Sequence, residues 1–548
     1  MSIHVVGPGR TEPDRLSAPD VPGDRTLARA PGPRRLAARL SVPGLVVLLQ
    51  GLLSGATLLQ VRDGLGARNL EASYHTILTA KALLDNPLSR TWGLPTVTLG
   101  QDNDKYVRWG AAVATDGGDQ IYTSFPPAGF WLPAIVGFLR GGDVGLAGLA
   151  ALNGVLAMAA GLLLYLLVVR AVLRLDRPMW IARVAGLLAA VVYLTSAEAL
   201  QSHGAVYWPH SMLQPLLLGM LLVLDHLLAR PEGSDRRRLL VVLGVLAAVA
   251  SYTEWTAYVF AFLTGAVILL VPALRRRIGA AGVVLVSVAA VTAAVLATHF
   301  VLVLGADAAV KAWRARFLAR SGADPAATAT LLDLQYGYAL SFGGAIVVAL
   351  VLMTLTAFHP ENPGRRDAVG AIVVLFSLTA VVENLVLRQH AMEFTFDRLK
   401  LGIPLALIVG LAVGHLSRRL LALAGVVVAV GAAVGVSAHR TDVATYEGWP
   451  HVDDANRALV RQVERVIDLR CATIGTNTQV RGYTNLVLDR AVHEFVEEPE
   501  MMRGRAAGDD GSCGTVYVRA RSVHTDLPQF LSVTVVQSDG ATHVFTSD

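Results

Sequence analysis

Two polar stretches of this sequence hold side chains of types that could do chemistry. The first opens at Glu71, with His75 one helical turn later on the same helix face. The second runs from Glu383 to Lys400 and combines carboxylate, amide, imidazole, guanidinium and ammonium groups. A carboxylate can take a proton as a general base. Arg can bind phosphate through two parallel hydrogen bonds, and Lys can bind it as a compact charge.

The first stretch belongs to residues 62–143, the longest polar interruption between hydrophobic segments in residues 1–400. Apolar side chains recur there at helical spacing and predict an amphipathic helix that follows a membrane span and lies on the bilayer surface. Asn86-Pro87 ends this helix. A second apolar segment, 126–140, is too short to cross the membrane comfortably. The apolar positions of the predicted helix are Leu70, Tyr74, Ile77, Leu78 and Leu84.

Composition identifies an integral membrane protein. The 548 residues are 53% hydrophobic and only 16% charged, and the mean hydropathy is +0.51. A soluble protein of this size would have nearer a quarter charged residues. Most arginines lie in short clusters between apolar runs, where membrane topology explains the net charge of +5 without a nucleic-acid partner. The sequence contains no P-loop, no dinucleotide fingerprint and no zinc-type spacing, and it lacks the paired broken segments of many transporters.

The arginine clusters predict the topology. Residues 1–41 are rich in Pro, Gly, Asp and Arg, which is typical of a disordered tail. The basic end of this tail precedes a retained membrane anchor and places the N-terminus in the cytoplasm. If 126–140 does not span the membrane, four later clusters, 236–238, 275–277, 365–366 and 418–419, also lie in the cytoplasm. The eleven predicted spans are 42–61, 144–169, 179–198, 209–228, 239–253, 255–273, 279–304, 336–358, 368–387, 401–416 and 419–437.

The fold class that we predict is a polytopic α-helical membrane domain, 42–437, followed by a small external α/β domain, 438–548. The α/β domain is predicted from three short alternating strands, at 515–519, 532–536 and 543–546, and one helix at 453–468. Cys471 and Cys513 lie in this domain and would form a disulfide in an oxidising compartment. Two unpaired thiols are the alternative.

The motifs of residues 70–177 follow a recognisable order. Glu71-Ala72-x-Tyr74 begins a helix, Trp92-x-x-Pro95-Thr96 follows, Tyr122-x-x-x-Pro126-Pro127 closes the loop, and the next span ends in Arg170 and Arg174. This order resembles the first external loop of GT-C glycosyltransferases, in the branch of protein mannosyltransferases and lipid A aminoarabinose transferases. The resemblance covers about a fifth of the chain. Where the family has an acidic pair, this chain has Leu70-Glu71, so the first acid, usually assigned to catalysis, is missing.

The resemblance implies sugar transfer from a polyprenyl-phosphate donor. An acceptor hydroxyl must then be deprotonated, and a departing phosphate must be stabilised by cations. Glu71 is the expected general base, with His75, Tyr122, Pro126 and Pro127 as its substrate-binding neighbours. A solvated helix-face carboxylate is the alternative interpretation of Glu71. Carboxylates that could supply the second acid are Asp102, Asp104, Asp116 and Asp119.

The second stretch is associated with the lipid-linked donor in the family. Arg388, His390, Arg398 and Lys400 are therefore expected to bind the donor, the three cations through its phosphate. Snorkelling of these side chains to lipid headgroups is the alternative. An external amphipathic segment is predicted to meet lipid phosphates through Lys311, Arg314, Arg316 and Arg320.

The loop between the third and fourth spans carries three further candidates. His203 and Tyr207 are expected to face the substrate cavity, as polar residues of this loop do in the family. His203 and His210 could hold a divalent metal, but hydrogen-bonded interfacial histidines are favoured, so we assign neither a metal ligand nor a cofactor. Glu254, flanked by apolar spans, lines the cavity or caps a turn.

The leading hypothesis is a glycosyltransferase of the bacterial inner membrane. Its partners would be a polyprenyl-phosphate-linked sugar, membrane lipids and a glycan, lipid or protein acceptor on the external face. The alternative is a non-catalytic or transport protein of the same architecture, such as a lipid-linked glycan flippase or an envelope assembly factor. The missing first acid favours the alternative, whereas Glu71, Tyr122, Pro126 and Pro127 favour the enzyme.

Overall fold

The computed structural model describes residues 33–64, 66–99, 112–230, 235–323, 330–358, 367–478, 482–505, 512–523 and 527–547. In chain order the α-helices are α1 Pro33–Arg62, α2 Glu71–Asp85, α3 Leu88–Thr91, α4 Ala128–Leu139, α5 Gly145–Arg174, α6 Met179–Leu194, α7 Ala197–Ser202, α8 Pro209–Ala229, α9 Arg236–Thr253, α10 Thr256–Leu270, α11 Pro272–Leu304, α12 Ala306–Ser321, α13 Leu331–Phe358, α14 Ala368–Val386, α15 Arg388–Glu393, α16 Gly402–His415, α17 Leu421–Ala444, α18 Trp449–Val463, α19 Gly482–Val487 and α20 Glu498–Arg505. Two 3₁₀ segments, Thr395–Leu401 and Arg418–Leu420, precede α16 and α17.

Seven helices among the described residues are long and apolar enough to cross a membrane. Each of the eleven predicted spans coincides with a helix, and the predicted polytopic helical class is confirmed. The remaining four predicted spans, α6, α9, α10 and α16, are shorter or begin with charged residues. In α11 the backbone is non-helical at Ile278, so that a basic first turn is separated from the apolar span behind it.

The membrane helices pack closely through small residues. A methyl group added at Gly410 of α16 would lie 2.5 Å from Val168 Cγ1 of α5, and one at Gly186 of α6 would lie 2.9 Å from the Tyr165 carbonyl oxygen of α5. In lipid, such close backbone approach supplies much of the helix–helix packing energy. The three helices therefore form a fixed frame for the loops at their ends.

The loop between α1 and α5 is folded rather than extended. Its hairpin pairs β1, Ala112–Ala114, with β2, Gln120–Tyr122, in antiparallel register, and α4 packs against α2. Nearly all residues of α2 from Ala72 to Leu83 are buried. We expected α2 on the bilayer surface, but in the structure it packs against α4 and α19, because its apolar side chains join a hydrophobic cluster that these elements share.

The C-terminal residues form the predicted α/β fold. The strands are β3 Thr473–Thr476, β4 Val492–His493, β5 Gly514–Val523, β6 Leu527–Gln537 and β7 Thr542–Thr546. Their order in the sheet is β4-β3-β5-β6-β7, with β3 parallel to β4 and β5 and the remaining pairs antiparallel. The predicted strands lie within β5, β6 and β7. The predicted helix 453–468 corresponds to α18, which begins four residues earlier, at Trp449, and ends at Val463.

The sulfur atoms of Cys471 and Cys513 are bonded in the structure, with Cα atoms 5.4 Å apart. The bridge joins the residue two before β3 to the residue before β5, and these two strands are neighbours in the sheet. Oxidation of the pair in the cell stays a prediction.

By its internal contacts the chain divides into residues 1–41 and residues 42–548. Of the predicted disordered tail, 1–32 lie outside the described residues, and α1 begins at Pro33. Within 42–548, one hydrophobic cluster contains side chains of α2, α4, α18, β5 and β6. The domain boundary at 437/438 stays a prediction, and the two sides of it share this core.

Candidate functional site

Lys400 lies at the centre of a buried polar cluster where three elements meet. Its ammonium group donates hydrogen bonds to Glu383 of α14 at 2.5 Å, to Asp397 at 3.0 Å and to the Thr256 hydroxyl of α10 at 3.0 Å. The Thr256 hydroxyl also donates to Glu383, and the Thr256 backbone N–H donates to Glu254 at 2.7 Å. All five side chains are buried. One ammonium group thus faces more than one carboxylate.

Two histidines complete this cluster, which we call the Lys400 cluster. His210 Nε2 lies 2.7 Å from Asp397 Oδ1 and 3.8 Å from Glu254 Oε1. His390 Nδ1 lies 3.2 Å from Asp397 Oδ2. Burial lowers the pKa of His390 to about 4, and the nearby Arg320 guanidinium acts in the same direction. His390 is therefore neutral near pH 7.

The charges of Asp397 and Lys400 stabilise each other. Burial by itself would lower the pKa of Lys400, but the carboxylates of Asp397, Glu383 and Glu254 together raise it above its ordinary value. Burial likewise acts to raise the pKa of Asp397, and Lys400 with His390 holds it well below its usual range. Because both groups stay charged across the physiological pH range, the Lys400 cluster is a permanent ion-pair site.

An apolar cavity of about 570 Å³ lies beside the Lys400 cluster. It is lined by residues of α10, α11, α12 and α14, and Glu383 is the member of the cluster that reaches its wall. The charged residues of the wall besides Glu383 are Arg316 and Arg320. Its apolar wall includes Trp255, Tyr258, Val259, Leu296, Phe317 and Val386.

Arg316 and Arg320 lie one helical turn apart on α12 and turn toward the same cavity. Arg320 stacks 4.6 Å above the Phe125 ring and donates a hydrogen bond to the Ser124 carbonyl at 3.0 Å. Arg316 makes no hydrogen bond or ion pair with any residue that the structure describes, and burial lowers its pKa. Burial raises the pKa of Tyr122, which lies next to both cations. Two guanidinium groups on an apolar cavity can bind an anion attached to an apolar chain.

A second cavity, of about 370 Å³, is polar. It lies among α7, α13, α17 and the Thr395–Leu401 segment. Its charged and imidazole side chains are Arg398, Arg68, Glu198, Asp442 and His439, and several hydroxyl groups complete the wall. The Thr395–Leu401 segment therefore contributes Asp397 to the Lys400 cluster and Arg398 to this polar cavity.

Glu71 is the first residue of α2 and is partly buried. It lines neither cavity. The same end of α2 lies under α19: an added methyl group at Gly482 would lie 2.6 Å from the His75 backbone, and Tyr74 stacks edge-on against Tyr483 at 5.0 Å. Tyr74 and His75 of α2 therefore contact the C-terminal residues, and Glu71 begins the same helix about one turn before them.

His75 belongs to an aromatic cluster. Its ring centre lies 4.3 Å from that of Tyr122 and 5.5 Å from that of Trp208. Burial lowers the pKa of His75 to about 3, so the imidazole is neutral near pH 7. Phe125 continues the ring contacts from Trp208 to His390. Tyr122, a loop residue predicted to bind substrate, therefore contacts His75 of α2 and lies beside Arg316 and Arg320.

The other loop residues proposed as site residues, Asp119, Pro126 and Pro127, contact or form the backbone of the loop. Asp119 is buried, and its carboxylate accepts a hydrogen bond from Thr98 beside the β1–β2 turn. Pro126 and Pro127 lead into α4, where the Pro127 carbonyl accepts the first helical hydrogen bond, from Phe130. Asp102 and Asp104 lie outside the described residues. Asp116 lies in the β1–β2 turn.

His203 and Tyr207 hold neighbouring elements together. His203 Nε2 lies 2.9 Å from the Tyr193 hydroxyl, and burial lowers the pKa of His203 to about 3. Tyr207 donates its hydroxyl proton to the Gly129 carbonyl at 2.7 Å. Neither residue lines the two cavities. Among the described residues, no group of three His, Cys, Asp or Glu side chains has an arrangement that could hold a metal ion.

The stretch 388–400 is divided among three surroundings. Lys400 and His390 belong to the Lys400 cluster, Arg398 lines the polar cavity, and Arg388 is a partly buried residue of α15 that lines neither cavity. The sequence analysis assigns no role to Glu383 or Asp397, although both lie in or beside this stretch. The position of Glu383 near the end of an apolar span could have indicated its role, because a carboxylate there is costly to bury and commonly functional.

Solved structures of membrane proteins share this architecture. ArnT from Cupriavidus metallidurans bound to undecaprenyl phosphate superposes with a TM-score of 0.57 and 12% identity, over 88% of this chain and 93% of ArnT. The archaeal oligosaccharyltransferase AglB from Archaeoglobus fulgidus, in complex with an inhibitory peptide and a dolichol-phosphate, superposes with a TM-score of 0.52 and 12% identity, over 88% of this chain and 70% of AglB. No protein-family model and no curated protein matches the sequence. The chain therefore shares the fold of ArnT and of the oligosaccharyltransferase AglB.

Proposed function

We propose that this protein transfers a sugar from a polyprenyl-phosphate donor to an acceptor on the external face of a bacterial cell membrane. The observation that carries the proposal is the 570 Å³ apolar cavity with Arg316, Arg320 and Glu383 in its wall. An apolar cavity suits isoprene units, and two guanidinium groups suit a phosphate. The structures that share the fold add support, since ArnT is bound to undecaprenyl phosphate and AglB to a dolichol-phosphate.

The chemistry of the transfer needs cations at the leaving phosphate. The glycosidic bond between sugar and phosphate breaks, and negative charge grows on the phosphate oxygens. Arg316, which has no partner among the described residues, is free to bind this charge, and Arg320 is held beside it by Phe125 and the Ser124 carbonyl. Of the two arginines, Arg316 is expected to gain more from binding an anion, because a partly buried charge without a partner is costly.

The transfer also needs a base for the acceptor hydroxyl. We assign this role to Glu383, because it is the carboxylate in the wall of the cavity that holds the two arginines. Lys400 and Thr256 fix the position of this carboxylate. Glu71, the base proposed from the sequence motif, begins α2 and is the second candidate.

The competing function is transport of a lipid-linked glycan without chemistry. It is favoured by Leu70, which stands where the resembling family has its first acid, and by the absence of Glu71 from the walls of both cavities. Both functions need a polyprenyl-phosphate site, so lipid binding tests their common part and sugar transfer tests the chemistry.

The lipid site is tested by titrating undecaprenyl phosphate into the purified protein in nanodiscs. We expect Arg316→Gln and Arg320→Gln each to raise the Kd about tenfold or more, since each removes a charged hydrogen-bond donor worth roughly 1.5–3 kcal/mol. Arg314→Gln is the matched control, because Arg314 is exposed on the same helix and does not line the cavity. Equal affinity of all three variants and the parent would overturn the assignment of this cavity to the donor.

A further inference from the structure

The polar cavity contains a buried cation that none of the described residues neutralises by direct contact. Arg398 is only 3% exposed, and it makes no hydrogen bond or ion pair with any described residue. Its guanidinium group is pressed against α13, where a methyl group on Gly337 would lie 2.0 Å from it. Burial lowers the pKa of Arg398, and Glu198 opposes this shift without reaching hydrogen-bond distance. A buried guanidinium without a partner is costly, so an anion is the missing complement.

Three hydroxyl groups of the cavity can accept hydrogen bonds, because each already donates its own proton to a protein oxygen. Thr395 donates its hydroxyl proton to Asn69 at 3.2 Å and Ser341 donates to Glu198 at 3.0 Å. Thr441 donates to the Ser437 carbonyl at 3.0 Å. Each hydroxyl oxygen keeps lone pairs that can receive a proton from a ligand. Together with Arg398, these oxygens suit a ligand that has an anionic group beside hydroxyl groups.

The two cavities differ in the ligand that each can hold. The apolar cavity has a wall of aliphatic and aromatic side chains, which suits a lipid chain. The polar cavity has two arginines, Arg398 and Arg68, two carboxylates, Glu198 and Asp442, and several hydroxyl groups in its wall, which suit a hydrated, hydroxylated molecule. Since Asp397 belongs to the Lys400 cluster and Arg398 to the polar cavity, one short segment touches both the donor side and this second site.

We propose that the polar cavity binds the sugar acceptor through an anionic group, a carboxylate or a phosphate, held by Arg398. The identification of the ligand as the sugar acceptor rests on the proposed function. The anion site itself does not depend on sugar transfer. It reassigns Arg398 from the donor phosphate, where the sequence analysis expects it, to a second ligand.

The test measures direct binding to the full-length protein in nanodiscs with three probes: glucuronate, inorganic phosphate and undecaprenyl phosphate. We expect Arg398→Gln to weaken glucuronate or phosphate binding about tenfold or more while leaving undecaprenyl phosphate affinity within about twofold. Glucuronate alone would identify a carboxylate acceptor, and phosphate alone would identify a phosphorylated one. Gly337→Ala displaces the same guanidinium without removing its charge and should weaken the same probe.

Arg440→Gln is the control, because Arg440 is exposed at the same end of α17 as His439 and Thr441 and lies outside the cavity wall. The proposal is overturned if Arg398→Gln lowers undecaprenyl phosphate affinity as much as Arg320→Gln does, because Arg398 would then serve the donor. It is also overturned if neither soluble anion binds the parent protein. If the parent protein binds a soluble anion through Arg398 but does not bind undecaprenyl phosphate, the proposed function is rejected and the anion site is supported.

Discussion

Lys400 decides the charge balance at the centre of this molecule. It donates to Glu383, Asp397 and Thr256, and its side chain is fully buried. Removing one partner of a buried ion pair leaves an uncompensated charge, which is far more costly than losing an exposed pair. The cation therefore compensates the buried carboxylates and fixes the position of Glu383 at the wall of the apolar cavity.

At the residue scale, we predict that Lys400→Met destabilises the protein by about 3–5 kcal/mol, because it leaves buried carboxylates without their cation. Lys311→Met is the control: Lys311 pairs with Asp307 on an exposed face of α12, where such a pair contributes at most about 1 kcal/mol. Thermal unfolding of the two purified variants measures the difference. Equal loss of Tm in both would show that the Lys400 cluster does not hold the helices together.

At the scale of elements, the contact between α2 and α19 determines the surroundings of Glu71. Gly482 allows this contact, because any side chain there would collide with the backbone of α2 at Tyr74 and His75. The C-terminal residues thus cover one end of the helix that carries the motif carboxylate. A change at this contact acts on α2 without touching the membrane spans.

We predict that Gly482→Ala destabilises the docking of the C-terminal residues by about 1–3 kcal/mol, the usual cost of forcing an extra methyl group into a packed contact. Gly448→Ala is the matched control, since an added methyl group there meets no atom within 4 Å. Limited proteolysis of the linker before α18 reports the docking. Equal cleavage rates for the two variants and the parent would contradict a tight α2–α19 contact.

At the scale of the whole molecule, the arginine clusters predict a cytoplasmic loop at Ser234 and an external C-terminus. The cluster 236–238 begins α9 and the cluster 275–277 lies near the start of α11, and the positive-inside rule places both in the cytoplasm. Reporters fused at Ser234 and after Asp548 measure this directly. An external signal from the reporter at Ser234 would show the opposite orientation and contradict the proposed transfer on the external face.

The sequence predicts the helices well because hydrophobic runs alone determine where a chain can cross a bilayer. It also predicts β5, β6, β7 and the resemblance to the GT-C fold. It fails to separate Arg398 from Lys400, because both belong to one charged run while the 3₁₀ turns of Thr395–Leu401 send neighbouring side chains in different directions. It also misses Glu198 and Arg68, which meet Arg398 only when α7, α13 and α17 pack together.

The burial of Glu71 and His75 depends on contacts between distant parts of the chain. Gly482 lies about four hundred residues after His75, and no periodicity in α2 indicates that the C-terminal residues cover it. An amphipathic helix is equally suited to a bilayer surface and to a protein contact. Only the fold decides between the two.

The most direct test of the central claim is a transfer assay with the purified protein in proteoliposomes, using polyprenyl-phosphate sugars radiolabelled in the sugar and an extract of envelope glycans as the acceptor. We predict that the parent protein transfers label to the acceptor fraction. Glu383→Gln keeps the size of the side chain but removes its basicity, so the rate should fall by about two orders of magnitude. Glu71→Gln, assayed alongside, should keep most of the activity. Absence of transfer by a parent protein that binds the lipid, or full activity of Glu383→Gln, would contradict the account.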